Sequence, residues 1–198
     1  MNALIFRWAR LHELTAPEWH AVMAAREAVF IVEQNCPYQD ADALDAQSWH
    51  LIGTCDGLLA AYLRVVDPGR KSVHAGTFYA EPSIGRVLTA TAFRGKGFGQ
   101  QLMREGIAGC DRLFPGQGIR ISAQSYLLNF YRALGFVEVG PGHVTILSDA
   151  AELEEDIDVA AVRATKIRLE EQLRSEHSAE VEAELRRTHA RIAATGGL

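Results

Sequence analysis

The sequence predicts an α/β fold, and three stretches carry that prediction. Residues 84–90, Ile-Gly-Arg-Val-Leu-Thr-Ala, are short, apolar and partly β-branched, as a strand is. They run through the glycine-rich Thr91-Ala-Phe-Arg-Gly-Lys-Gly-Phe-Gly99 into a segment where Phe98, Leu102, Ile107 and Ala108 recur at helical spacing. Residues 119–139 repeat the alternation: a strand over 119–124, a short helix over 125–134 stopped by Gly135, and a strand resuming at Phe136. Between Trp49–Cys55 and Leu58–Val66 lies Asp56-Gly57, and Asp-Gly between apolar runs is a strong hairpin signal.

The remaining elements follow in order. Residues 4–11 alternate apolar and polar side chains and form the first strand. Thr15 caps a helix that has Pro17 in its first turn and Glu18 where the helix dipole favours a carboxylate. Trp19, Val22, Met23, Arg26, Val29 and Phe30 lie on one face of that helix. Residues 33–45, with Pro37 and several carboxylates, form an irregular loop, and a second loop runs from Pro68 to about Pro82. Residues 137–139 pair with a last strand expected at 157–163, with 144–155 as an insertion. The segment 165–194 is rich in Glu, Arg, Leu and Ala and lacks Pro and Gly, so it reads as a helix. Its apolar stripe, Ile167, Leu173, Val181, Leu185 and Ile192, is too interrupted for a long coiled coil. The expected division is a domain over 1–164 and a C-terminal helical extension over 165–198.

Composition bounds the function. A chain of 198 residues, 48% hydrophobic and 23% charged, is that of a soluble globular protein with a real core. A net charge of −5 and the lack of a basic face argue against nucleic acid or an anionic membrane as partner. No apolar run approaches membrane-spanning length, and the first residues lack the order of a signal peptide. Cys36, Cys55 and Cys110 are odd in number and widely spaced, which suits a reducing cytoplasm rather than a disulfide framework. No Cys/His pair has metal-ligand spacing, so no metal is expected.

The glycine-rich turn reads as an anion site. Glycine lets the backbone take positive φ and approach a ligand closely. The first amides of the helix lack partners, and the dipole favours negative charge there. Arg94 and Lys96 add cationic donors. The glycines do not follow the Gly-x-Gly-x-x-Gly spacing of dinucleotide sites, nor is there a Gly-Lys-Ser/Thr.

Arg94-x-x-Gly97-x-Gly99 after a strand resembles the pyrophosphate loop of the GNAT acyl-CoA N-acetyltransferases. Tyr131-x-x-x-Gly135-Phe136 resembles that family's second signature, at the expected distance downstream. The run 26–40, Arg-Glu-Ala-Val-Phe-Ile-Val-Glu-Gln-Asn-Cys-Pro-Tyr-Gln-Asp, is similar to the ElaA-like branch. The resemblance implies a central mixed, mostly antiparallel sheet flanked by helices. It also implies acetyl transfer from acetyl-CoA directly to a primary amine of a small molecule or peptide.

The residues implied follow from the match. Arg94, Gly95, Lys96, Gly97, Phe98, Gly99 and Gln100 would hold the pyrophosphate. The strand edge at Val87, Leu88 and Thr89 would pair with the pantetheine arm as an added strand does, and a backbone N–H near Leu88 would hold the oxyanion. Tyr131 would protonate the leaving thiolate. Where the family often has an asparagine, seven residues before this tyrosine, the chain has Gln124, and Asn129 is the alternative contact. For the base, His50 has a pKa suited to neutrality and Glu33 lies where family acceptor sites form, with Glu81 a lesser option. Arg86, a charge on an apolar strand, either lines the cleft or pairs with a carboxylate. Glu33 and Arg86 are also the expected acceptor contacts. The acidic run Glu33, Asp40, Asp42 and Asp45 suggests a cationic acceptor. Two further expectations are a homodimer through the C-terminal helix and, as the rival reading, a non-catalytic acyl-CoA-binding protein with an interaction tail.

Overall fold

The computed structural model describes residues 3–74, 77–138, 144–148, 159–175 and 188. Contacts group the chain into two units, Met1–Ile121 and Ser122–Leu198.

The first unit is built on a sheet of β1 (Ile5–Arg10), β2 (Trp49–Cys55), β3 (Leu58–Val66), β6 (Ser83–Thr89) and β7 (Ile119–Ala123), in the order β1-β2-β3-β6-β7. Neighbours are antiparallel except β6 and β7, which run parallel. The β2–β3 hairpin turns at Asp56 and Gly57, both at positive φ, +54° and +74°. Both central residues left-handed is the backbone that matches the strand twist, and Asp-Gly provides it at little steric cost. A short ribbon, β4 (Ser72–His74) with β5 (Thr77–Phe78), lies in the expected loop before β6.

Helix α1 (Ala16–Arg26) starts as its capping residues dictate. Thr15 Oγ1 accepts the Glu18 amide at 3.3 Å, and Glu18 returns a carboxylate to the Thr15 amide at 2.8 Å. The helix then widens into a π-helical segment, Glu27–Glu33. Val22, Val29, Trp19 and Phe30 from this run pack on Ile52, Tyr62 and Leu88 of the sheet. Helix α2 (Phe98–Leu113) meets other sheet residues: a Cβ on Gly106 would lie 2.6 Å from Leu63, and one on Gly109 only 2.0 Å from the Trp8 ring. Tyr62 and Leu63 alternate along one strand, so α1 and α2 cover opposite faces.

A bulge in β6 decides how that strand presents itself. Tyr62 pairs with Leu88 and Arg64 with Gly85, so Arg86 and Val87 face Leu63 alone. Arg86 takes φ +54° there. The extra residue shifts the alternation. As a result Ile84 points at the α2 side while Leu88 joins the α1 core.

The second unit contains a 3-10 turn at Ser125–Leu127, helix α3 (Leu128–Arg132), the antiparallel pair β8 (Val137–Glu138) and β9 (Val144–Ser148), and helix α4 (Val159–Ser175). This corrects the expected last strand. The partner of β8 is 144–148, within the segment expected to be an insertion, and residues 159–163 are helical. Val144-Thr-Ile-Leu-Ser has the β-branched character of a strand. Val159-Ala-Ala-Val-Arg runs without a breaker into a helix-favouring sequence, and propensity carries it. Helix α4 thus begins six residues before the expected start of the extension. The rest of that extension lies outside the described residues, apart from Thr188, which is buried.

Candidate active site

The glycine-rich turn is organised as an open cradle. After β6 a 3-10 turn at Thr91–Phe93 leads to Gly95 and Gly97, at φ +74° and +75°. A Cβ at either would meet nothing within 4 Å, so the left-handed backbone and free approach from outside explain these glycines. Gly97 is the N-cap of α2 and no side chain caps the helix, while Gln101 is the first residue to bond back, to the Gly97 carbonyl at 3.2 Å. The amides of Phe98, Gly99 and Gln100 therefore stand at a positively polarised helix end. The Phe98 side chain is buried against Cys55 and Ala60, which anchors the helix start to the sheet. Lys96 lies over the Phe93 ring at 5.1 Å.

Beside the turn, the later part of β6 is paired with β3 only. The bonds of β6 to β7 are confined to Ser83 with Arg120 and Ile84 with Ile121. From Gly85 onward no described strand of this unit pairs with that edge, which includes Val87, Leu88 and Thr89. An exposed strand edge offers alternating donors and acceptors to an extended ligand. These residues fit an acyl-CoA: amides and cations for phosphates at one end, a free edge for the amide-bearing arm along the other.

Arg94 is held between the two halves of this arrangement. Its Nε donates to the Thr89 carbonyl at 3.2 Å, and its Nη atoms donate to both Glu33 oxygens at 2.9 and 2.8 Å. Arg94 hydrogen bonding draws the Glu33 carboxyl below its usual range. Glu33, one of the two expected bases, thus has both its oxygens on the Arg94 guanidinium in an exposed ion pair.

His50, the other expected base, is also engaged. It is 0% exposed. Its Nε2 lies 2.9 Å from the Asp45 carbonyl, which can only accept, so Nε2 carries the proton. Nδ1 then accepts the Tyr62 hydroxyl at 2.7 Å. Burial pushes the imidazole pKa down against the favourable carbonyl contact, and the nearby arginines push the same way. Both ring nitrogens are therefore engaged, linking the Asp45 turn to the sheet. Glu81 likewise is bound by Arg120, at 2.9 and 3.3 Å, and held low by it.

What lies around His50 is a partly buried charge network that the sequence does not reveal. Arg26 is 0% exposed and donates to Asp40 at 2.6 Å and to Asp45 at 2.7 Å. Arg64 donates to Asp45 at 2.6 Å and to Asp42 at 2.7 and 3.0 Å. Arg86 places Nε 2.6 Å from Asp40 and Nη2 3.6 Å from Asp42, and its Nη2 donates to the Asp40 carbonyl at 3.3 Å. Burial raises the Asp40 and Asp45 carboxyls, but the guanidinium bonds overcome it and both end below the usual range. Three carboxylates and three guanidiniums neutralise one another. The acidic run thus does not offer free carboxylates to a cationic acceptor. Arg86 takes the carboxylate-pairing role that the sequence left as one of two options. The legible signal was Arg26 itself, a charge on an otherwise apolar helix face.

The sequence places Lys71 only in the loop after Pro68. Its Nζ donates to Ser83 Oγ at 3.0 Å, and burial pulls its pKa down to about 8. Nothing in its sequence neighbourhood signals this.

In the second unit, Tyr131 is 4% exposed and lies edge-on to Phe130 and Phe136, with ring centroids 5.1 and 6.0 Å away. Burial pushes its hydroxyl up to about 12, so it remains protonated at neutral pH. Gly135, at φ +85°, lets the chain turn so that the Phe136 amide bonds the Tyr131 carbonyl at 3.2 Å. Gln124 and Asn129 are both exposed. Among the described residues no group of His, Cys, Asp or Glu is arranged to hold a metal ion, and no helix is long and apolar enough to cross a membrane.

Known proteins are similar to this chain. A family model of the acetyltransferase (GNAT) domain matches residues 60–145. A UPF0039 protein of Synechocystis is 44% identical over 134 residues, spanning 67% of this chain and 82% of that protein. Protein ElaA of Escherichia coli is 37% identical over 140 residues, 68% of this chain and 86% of ElaA. Its crystal structure matches with a TM-score of 0.65 and 32% identity, over 74% of this chain and 99% of that one. An acyl-CoA N-acyltransferase from Pseudomonas aeruginosa matches equally, with a TM-score of 0.65 at 36% identity over 74% and 99%. With the mixed sheet, bulged strand and glycine turn in place, the chain belongs to the ElaA-like branch of the GNAT acyltransferase superfamily.

Proposed function

We propose that the chain transfers an acetyl group from acetyl-CoA directly to a primary amine of a small molecule or peptide. The observation that carries this reading is the continuous arrangement of a half-paired β6, an open Gly95–Gly97 turn and an uncapped α2. The turn and the first α2 amides bind the phosphates, with Lys96 and Arg94 beside them. The free edge at Val87, Leu88 and Thr89 orients the arm, and the bulge at Arg86 takes backbone amides out of the ladder for a developing oxyanion. In the transfer the acceptor nitrogen forms a bond to the acyl carbon and loses a proton, while the C–S bond breaks and the thiolate gains one. Tyr131, kept protonated by burial, is the donor to sulfur. Gln124 and Asn129 are the proposed polar contacts to the arm. Residues 1–164 form the transferase domain in this reading, and the extension pairs two copies of the chain.

The test is free-thiol release from acetyl-CoA with a panel of amines. The wild type should turn over, and Tyr131→Phe should fall by ~10²–10⁴-fold while keeping its CoA affinity. CoA binding without thiol release from any amine or peptide would instead assign the chain as a non-catalytic acyl-CoA-binding protein.

A further inference from the structure

A groove of about 340 Å³ lies beside α1, lined by Met23, Glu27, Ile31 and Val32 on one wall and by Tyr38, Asp40 and their neighbours on the other. Its volume is at the small end of ligand clefts. The helix makes the first wall by its change of pitch. Met23 and Glu27 are one α-turn apart, and the wider π-turn that follows brings both Ile31 and Val32 onto the same side. The Cys36 amide bonds the Ile31 carbonyl five residues back, at 3.1 Å, and continues that geometry. Val32 is 76% exposed and Tyr38 is 43% exposed, so large apolar surface stands open there.

The charges of the groove are not alike. Asp40 is buried and neutralised by Arg26 and Arg86. Glu27 is exposed and has no hydrogen-bond or ion-pair partner among the described residues. The groove thus combines apolar walls with one unneutralised carboxylate. It also adjoins the bulge of β6. Tyr38 and Asp40 are groove walls, and the Arg86 guanidinium lies 5.8 Å from the Tyr38 ring and against the Asp40 carboxylate.

We infer that this groove binds the acceptor, and that the acceptor is a small primary amine on an apolar body, an aryl- or alkylamine, its ammonium held by Glu27. The inference rests on the transferase reading for the word acceptor, while the groove's ligand preference stands on Glu27 and the apolar walls alone. A carboxylate beside the amine, as in an amino acid, would face Glu27 and be disfavoured. Polyamines would gain the charge but leave the walls unfilled.

Calorimetry on the full chain with CoA present tests it. The probes are 2-phenylethylamine, phenylalanine and 2-phenylethanol, which share one aromatic body. The wild type should bind 2-phenylethylamine at least tenfold more tightly than phenylalanine. Glu27→Gln should weaken 2-phenylethylamine about tenfold or more, leave 2-phenylethanol unchanged, and leave CoA affinity unchanged, which also certifies the fold. Val32→Ser should weaken both aromatic probes. Wild-type protein that does not bind 2-phenylethylamine, or a Glu27→Gln variant that binds it equally well, overturns the inference. Turnover separates the two readings. An amine bound through Glu27 yet never acetylated sinks the transferase reading and keeps the groove. Acetylation of amines indifferent to Glu27 and Val32 does the reverse.

Discussion

Arg26 shows what one buried residue demands of a chain. A guanidinium withdrawn from water must find carboxylates, and Asp40 comes from an irregular loop and Asp45 from the 3-10 turn that ends it. The loop is therefore pinned by charge and not by a ladder. Arg26→Met should destabilise the fold by about 3 kcal/mol, the lower end for a broken buried pair, because Arg64 and Arg86 still face the orphaned carboxylates. Urea unfolding measures it, and a change under about 1 kcal/mol would refute the pinning role. The same cluster sets a pH dependence. His50 has a lowered folded pKa, so the unfolded chain binds its proton first as pH falls below about 6.5, and stability declines from there. Asp40 and Asp45 are also lowered, so their contribution is present above the ordinary carboxylate pKa and lost below it. Urea midpoints should fall between pH 7.5 and 5.5, and His50→Gln should flatten that slope. At this scale the sequence was least legible. The residue types at the site were visible, but their partners come from distant segments, as Glu33 does for Arg94 and Tyr62 for His50.

Elements were more legible because their signals are local. Thr15 with Glu18, Asp56-Gly57 and the glycines of the turn each act through backbone geometry within a few residues, and each stands where it was read. The last strand escaped because strand and helix compete over short apolar runs, and only a pairing partner settles the contest. The bulge in β6 left no sequence mark, since its left-handed residue is Arg86 and not a glycine. Packing of α2 also has a sharp requirement. Gly109→Ala gains up to ~1 kcal/mol of helix propensity, but its Cβ would stand 2.0 Å from the Trp8 ring. That ring is tethered through Nε1 to Glu105 at 2.8 Å and cannot swing freely. Overpacking of ~1–3 kcal/mol should win, giving a net loss of up to about 2 kcal/mol. Gly85→Ala, with nothing within 4 Å, is the comparison and should be nearly neutral. Equal melting of the two variants would rule out the close-packing argument.

For the whole molecule, the apolar residues of the extension need a cover. In α4, Leu169 is buried at 2% exposure while Ile167 is 58% exposed, and Lys166 lies 3.7 Å from Glu170. A surface ion pair of that kind adds only ~0.3–0.5 kcal/mol, so apolar burial must do most of the ordering. If two copies cover one another, light scattering should report a dimer for the full chain and a monomer after deletion of residues 159–198. A full-length monomer, or a dimer that survives deletion, defeats the proposed pairing. The fold class was readable at this scale because two linked signatures fix a family even where individual partners stay hidden.

The three thiols bear on how all this is measured. Cys36 is exposed, while Cys55 and Cys110 are buried, Cys110 with its pKa pushed up to about 12 by burial. A thiol reagent added to follow CoA release therefore meets one protein sulfur at once and two only when the chain opens. One equivalent per chain is the blank to subtract from an enzyme assay. Any slow rise from one equivalent towards three counts the molecules that have come apart, so the reagent that follows turnover also audits the integrity of every variant.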